Sequence, residues 1–166
     1  MRLRTTLVAG LALFLLGRAG AAQAQTSAAT NPSPPVADYH PSMGDLMTMA
    51  VQPRHIKLGL AGARGNWTYA TYELAELRNA FARIARTIPV YQNAATAPII
   101  DAMTRVPLGA LEQAIKSTDA RAFSSAYSQL TAACNACHIS QAHPMVVIKV
   151  PAEAAYPDQD FEPVRR

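Results

Sequence analysis

The strongest helical periodicity in this chain lies near its end, and it narrows what the chain can fold into. Phe123, Ala126, Tyr127, Leu130, Cys134, Cys137 and His138 recur at helical intervals after Thr118-Asp119, a capping residue and an acid suited to a helix N-terminus. One face of one helix therefore carries apolar residues first and then two thiols and an imidazole. The rest of the chain must supply a partner surface for that face.

Cys134-Asn135-Ala136-Cys137-His138 is a Cys-x-x-Cys-His run, the attachment signature of a c-type haem. Two thiols this far apart can add to the two vinyl groups of a porphyrin from one helical turn. The histidine that follows can donate a ring nitrogen to the iron as axial ligand. The chain has two cysteines in all, and the motif uses both. A thioredoxin-type dithiol would open a helix after a strand, whereas these cysteines close a long helical pattern. A structural zinc site would need four ligands, and the other three histidines stand at unrelated spacings. The expected cofactor is one haem c, covalently bound through Cys134 and Cys137, with His138 on the iron.

The beginning of the chain reads as export. Arg2 and Arg4 precede an apolar run from Leu7 to Leu16, about ten residues, too short to span a bilayer comfortably. Ala22-Gln23-Ala24 has the form of a cleavage site, so residues 1–24 are expected to be a signal peptide and the mature protein to be periplasmic. Without Arg2, Arg4 and Arg18 the balance falls from 15 Lys+Arg against 11 Asp+Glu to 12 against 11. That balance gives no ground for a nucleic-acid partner or for stable membrane insertion after cleavage. Residues 25–41, with Pro32, Pro34, Pro35 and Pro41, are expected to be a flexible or polyproline-II-like lead-in.

Residues 42–140 are expected to form an all-α, antiparallel four-helix bundle, followed by an extended, irregular tail over 141–166. The first helix runs from a Ser42 cap to about Ala63, with Met47, Val51, His55 and Leu58 on one face. Pro53 should kink or divide it, and Gly59, Gly62 and Gly65 mark its end. The second starts at an Asn66 cap, with Trp67 packing at its start, and stops at Pro89. The third is broken or bent near Pro107. In the tail, His143-Pro144 breaks the fourth helix, and Val146–Val150 is a short β-like run. His40 and His143 read as linker or surface residues.

Four helices with Cys-x-x-Cys-His closing the last resemble the cytochrome c′ family. The likeness rests on Cys134, Cys137, His138 and the Phe123…Tyr127…Leu130 stripe, over roughly residues 42–140. The chain also looks like a group of exported four-helix cytochromes that share Arg54-His55-x-Lys57-Leu58, Asn66-Trp67 and Tyr72-Glu73-x-x-Glu76-Leu77, and a long tail. The resemblance implies that Arg54 lies near the haem propionates, that Leu58 covers the distal side of the iron, and that two copies pair through their first two helices.

The sixth iron position decides between two functions. If His55, Met47, Met49 or Met145 ligates, the iron is six-coordinate and suited to electron transfer with a periplasmic redox partner protein. If Leu58 covers the iron, the site is open and can bind or sequester a small gas such as NO or CO. No nucleophile–base pair, second metal motif or phosphate loop points to an enzyme, and only His55 could serve as a distal acid–base group.

Overall fold

A computed structural model describes residues 38–152 and 156–164. The expected signal peptide and all but the last residues of the expected lead-in lie outside the described residues.

Four helices pack in sequence, each against the next, and the first also packs on the fourth. Helix α1 is continuous but has three parts: α-helix Met43–Leu46, a π-helical turn Met47–Val51, and α-helix Gln52–Ala63. Helix α2 spans Trp67–Thr87, α3 Thr96–Lys116 and α4 Ala120–Ser140. A two-residue hairpin, β1 (Val90–Tyr91) with β2 (Ala94–Ala95), joins α2 to α3 and pairs Val90 with Ala95. Leu58, Leu77, Ile84, Leu111 and Leu130 are fully buried at the centre. Among the described residues no helix is long and apolar enough to cross a membrane.

The helix starts are built by side-chain caps. Ser42 accepts from Asp45 N at 3.1 Å while Asp45 takes the Ser42 amide, a reciprocal box that satisfies two orphan donors. Asn66 accepts from Tyr69 N and Asp119 from Ala122 N. The ends share a second device. The amides of Asn66 and Asp119 reach back 2.9 Å to Ala61 O and Ala114 O, with Gly65 (φ 67°) and Thr118 (φ 54°) in left-handed conformation between. One residue thus closes one helix and caps the next, which turns the chain back on itself at α1–α2 and α3–α4.

Pro53 neither breaks α1 nor ends it. It lies in the first turn of the third part, directly after the π turn, and that wider turn absorbs the hydrogen bond its missing N–H cannot make. Helix α3 runs unbroken through Pro107, where a division was expected, and it begins before Pro98. Pro98 sits in the first turn, where amides have no helical partner. Pro107 is buried with Leu108 and Leu111, and burial of that face outweighs one lost hydrogen bond.

Gly59 and Gly62 are contact points for α4 and not end markers. A Cβ on Gly59 would stand 2.6 Å from the Tyr127 hydroxyl, and one on Gly62 would overlap the Phe123 ring. Phe123 is itself held, stacked on Tyr127 and edge-on to Trp67 with centroids 5.9 Å apart in both cases. Gly62→Ala is therefore expected to destabilise by about 1–3 kcal/mol through overpacking. Gly109→Ala, at a helical site with open space around it, should stabilise by about 0.5–1 kcal/mol. Denaturant midpoints that move the same way for both would contradict this packing.

The tail is irregular, as expected, and among its described residues forms no strand, in place of the β-like run read over Val146–Val150. Pro151 rests near Gly59, Lys57 lies 4.6 Å from the Tyr156 ring centroid, and buried Phe161 stacks on Tyr69. Asn66 donates to the Phe161 and Glu162 carbonyls. The tail thus lies along α1 and the start of α2.

Candidate functional site

The last turns of α4 bring Cys134, Cys137 and His138 to one wall of a cavity of about 260 Å³. Their spacing of three and four residues is one helix face. Met43, Met47, Val51 and His55, four residues apart in turn, supply the α1 wall across the π turn. Ile99, Ile100 and Met103 come from the first turns of α3, and Val146 and Ile148 from the tail. The lining is almost wholly apolar and includes no Lys, Arg, Asp or Glu.

His138 is oriented by the tail. Its Nδ1 lies 2.8 Å from the Val146 carbonyl oxygen. A carbonyl can only accept, so Nδ1 carries the proton and Nε2 keeps its lone pair. That is the arrangement of a metal-ligating imidazole whose other nitrogen is held by a carbonyl. An apolar cavity with two thiols and an oriented imidazole on one wall fits a covalently attached haem.

The thiols are not built as nucleophiles. Burial pushes Cys134 up to about 11 and raises Cys137 as well. Both stand at the C-terminal, electronegative end of α4, which disfavours a thiolate. A thioredoxin-type cysteine needs the opposite. Among the described residues no three His, Cys, Asp or Glu side chains form a group that could hold a metal ion.

The structure divides the distal candidates. His55 lines the cavity but both ring nitrogens are engaged, Nε2 with Thr131 Oγ1 at 3.1 Å and Nδ1 with the Tyr127 hydroxyl at 3.0 Å. The Thr131 hydroxyl also donates to Tyr127 O at 3.0 Å and the Tyr127 hydroxyl to His55 O at 2.6 Å, so the ring is held in one buried network. Burial pushes His55 down to about 4, and the ring is neutral. Met47 lines the cavity with no competing contact of this kind. Met49 and Met145 do not line it and are 60% and 76% exposed.

Arg54 and Leu58 do not reach the cavity. Arg54 contacts both carboxylate oxygens of buried Glu73 at 3.3 Å and lies 3.7 Å from Glu76, neutralising an acid that α2 buries. Leu58 is in the core. The π turn adds a residue, and one residue rotates all later positions by about 100°. The cavity face is instead Met43, Met47, Val51 and His55.

Among the cavity residues that escaped the sequence are three polar ones. His143 is half-buried, with Nε2 3.0 Å from the Tyr91 hydroxyl, and both line the cavity, in place of the surface role expected for His143. Thr96 is the third. The chain returns to this wall because α4 ends in a turn in which the His143 amide bonds His138 O at 2.7 Å, with Ala142 left-handed at φ 59°. A glycine there would have signalled the turn.

No family model, no curated protein and no solved structure matches this chain. The likeness to cytochrome c′ therefore stands on the motif and the bundle.

Proposed function

We propose that this chain is a c-type cytochrome of the periplasm, cytochrome c′-like in layout, that holds one haem through Cys134 and Cys137 with His138 as axial ligand and carries electrons to and from a redox partner protein. One observation carries the reading: the Cys-x-x-Cys-His turn faces an apolar cavity, with His138 Nδ1 bonded to a carbonyl and Nε2 left to ligate. Bound haem would supply a one-electron iron couple. The protein's part is to hold it in a cavity without charged side chains and to keep the histidine aligned. Met47 is the sixth-ligand candidate on the cavity wall that no other bond engages, and a thioether there favours electron transfer.

A second reading, binding or sequestration of NO or CO, draws on His55. With both its nitrogens occupied, the polar ligand nearest the distal wall is withdrawn, and apolar Val51 and the methionines remain. The tail along α1 and the start of α2 occupies part of the surface through which the resembled family pairs, so a homodimer of that kind would have to form beside it.

Absorption spectra of the exported, matured protein test this. Narrow low-spin ferrous bands unmoved by carbon monoxide are the expected result for the electron carrier. A high-spin spectrum that shifts with carbon monoxide would replace it with the gas-binding reading, and a protein without covalent haem would end both.

A further inference from the structure

The tail is fastened to the haem motif at three points within three residues. Asn135, one of the two residues between the cysteines, donates from Nδ2 to Ile148 O at 2.9 Å and accepts from Ile148 N at 2.7 Å. Three residues later on α4, His138 donates to Val146 O. Asn135 thus pairs with Ile148 as a neighbouring strand would, at both its backbone groups. In an extended chain, carbonyls two residues apart point the same way, so fixing Ile148 O also aims Val146 O at α4. The side chains of Val146 and Ile148 meanwhile close the cavity.

We propose that Asn135 and the segment Val146–Ile148 form a clamp that positions the His138 ring and tunes the iron it would hold. Asn135 is a positioning residue, acting through Ile148 and Val146 on His138 Nδ1. The inference rests on the haem reading and goes beyond it, since it gives the tail a task at the iron. A carbonyl on Nδ1–H makes Nε2 a stronger donor and favours oxidised iron. It also opposes rotation of the His138 ring.

The test uses the full, haem-loaded chain. Asn135→Ala removes both amide contacts, and Ile148→Pro removes the donor to Asn135 while leaving Asn135 in place. Ile148→Ala keeps both backbone groups and trims only the cavity wall. Resonance Raman of the ferrous protein, in a Met47→Ala background if the iron is six-coordinate and low-spin, reads the iron–histidine stretch, and redox titration reads the midpoint potential. The expected result is a lower stretching frequency and a higher potential in Asn135→Ala and Ile148→Pro, with the frequency kept in Ile148→Ala. A merely structural clamp would leave the frequency where it is, and wild-type values in the first two variants overturn the proposal. Should neither variant mature, NMR of the wild-type diamagnetic ferrous protein, with carbon monoxide added if the iron is high-spin, decides. A slowly exchanging His138 Nδ1 proton close to the Val146–Val147 peptide supports the clamp, and a freely exchanging one refutes it. Covalent haem with no response to the clamp sinks this inference alone, whereas wild-type protein without covalent haem sinks the haem reading as well.

Discussion

Replacing both Cys134 and Cys137 with alanine is expected to leave a folded bundle that keeps no haem on a denaturing gel. The exported wild type should show a haem-stained band at the protein's mass, and each single variant a weaker one. The reason lies in which bonds survive unfolding. The apolar cavity and His138 would hold a porphyrin only while the helices are packed, and detergent removes both together. Thioether bonds persist. Two thioethers, one, or none should therefore grade the stain, while far-ultraviolet dichroism stays that of the same helices. Neither thiol is in the innermost core, since both are only half-buried, and Cys→Ala removes one sulfur each. The cost to the apo fold is correspondingly small, so loss of stain reads chemistry and not collapse. A full-strength covalent band from the double variant would overturn the assignment of these residues.

The elements most legible in the sequence are those whose signal is local. Ser42 and Asn66 cap helices because short polar side chains beat any alternative at those positions, and they do so in the structure, whereas the α4 cap falls on Asp119, one residue after the capping position read at Thr118. The α4 stripe was legible because seven residues share one period. What escaped lacks its customary residue. Ala142 takes a left-handed turn that glycine would have announced, so the return of His143 to the cavity was invisible. Gln92 and Asn93 both have positive φ in the β1–β2 turn, without the Asn-Gly pair that marks such hairpins. Pro107 carries a breaker's signal inside a helix that tertiary packing keeps whole.

The site shows the same division. Cys134, Cys137 and His138 follow from a fixed spacing. The opposite wall depends on the pitch of α1, and the π turn before Pro53 is a response to a missing donor that residue counting does not register. Arg54 turns to Glu73 and the cavity receives Met43 and Val51. Gly59 and Gly62 read as a fading helix because nothing near them in sequence names Tyr127 and Phe123 as the surfaces they must admit. Long-range contacts of this kind become visible only once α1 and α4 are placed together.

Stability is expected to fall between pH 6.5 and about 4, and His55 is the group that makes it do so. The ring is 4% exposed, and burial alone drives its proton affinity down to about 4, from an ordinary 6.5. Between those values the unfolded chain binds a proton at this position and the folded chain does not. The unfolded state gains, so the contribution is fully present above pH 6.5 and lost as pH drops toward 4. A displacement of that size corresponds to roughly 3 kcal/mol. Carboxylates confuse the lower end, since Asp45 and Glu112 are held below their ordinary values and lose their own contributions in more acid solution. The informative interval is therefore pH 6.5 to 5. Denaturant midpoints there should slope downward with acid in the wild type and much less in His55→Gln, whatever the offset between the two at neutral pH. Equal slopes would mean that the ring titrates in contact with water, contrary to its bonds with Tyr127 and Thr131. The same neutrality matters for electron transfer. A proton gained on His55 would place a positive charge on the cavity wall and raise the potential of an iron held there. With that ring neutral above about pH 5, the potential of a haem held there should owe no pH dependence to His55 from pH 5 upward.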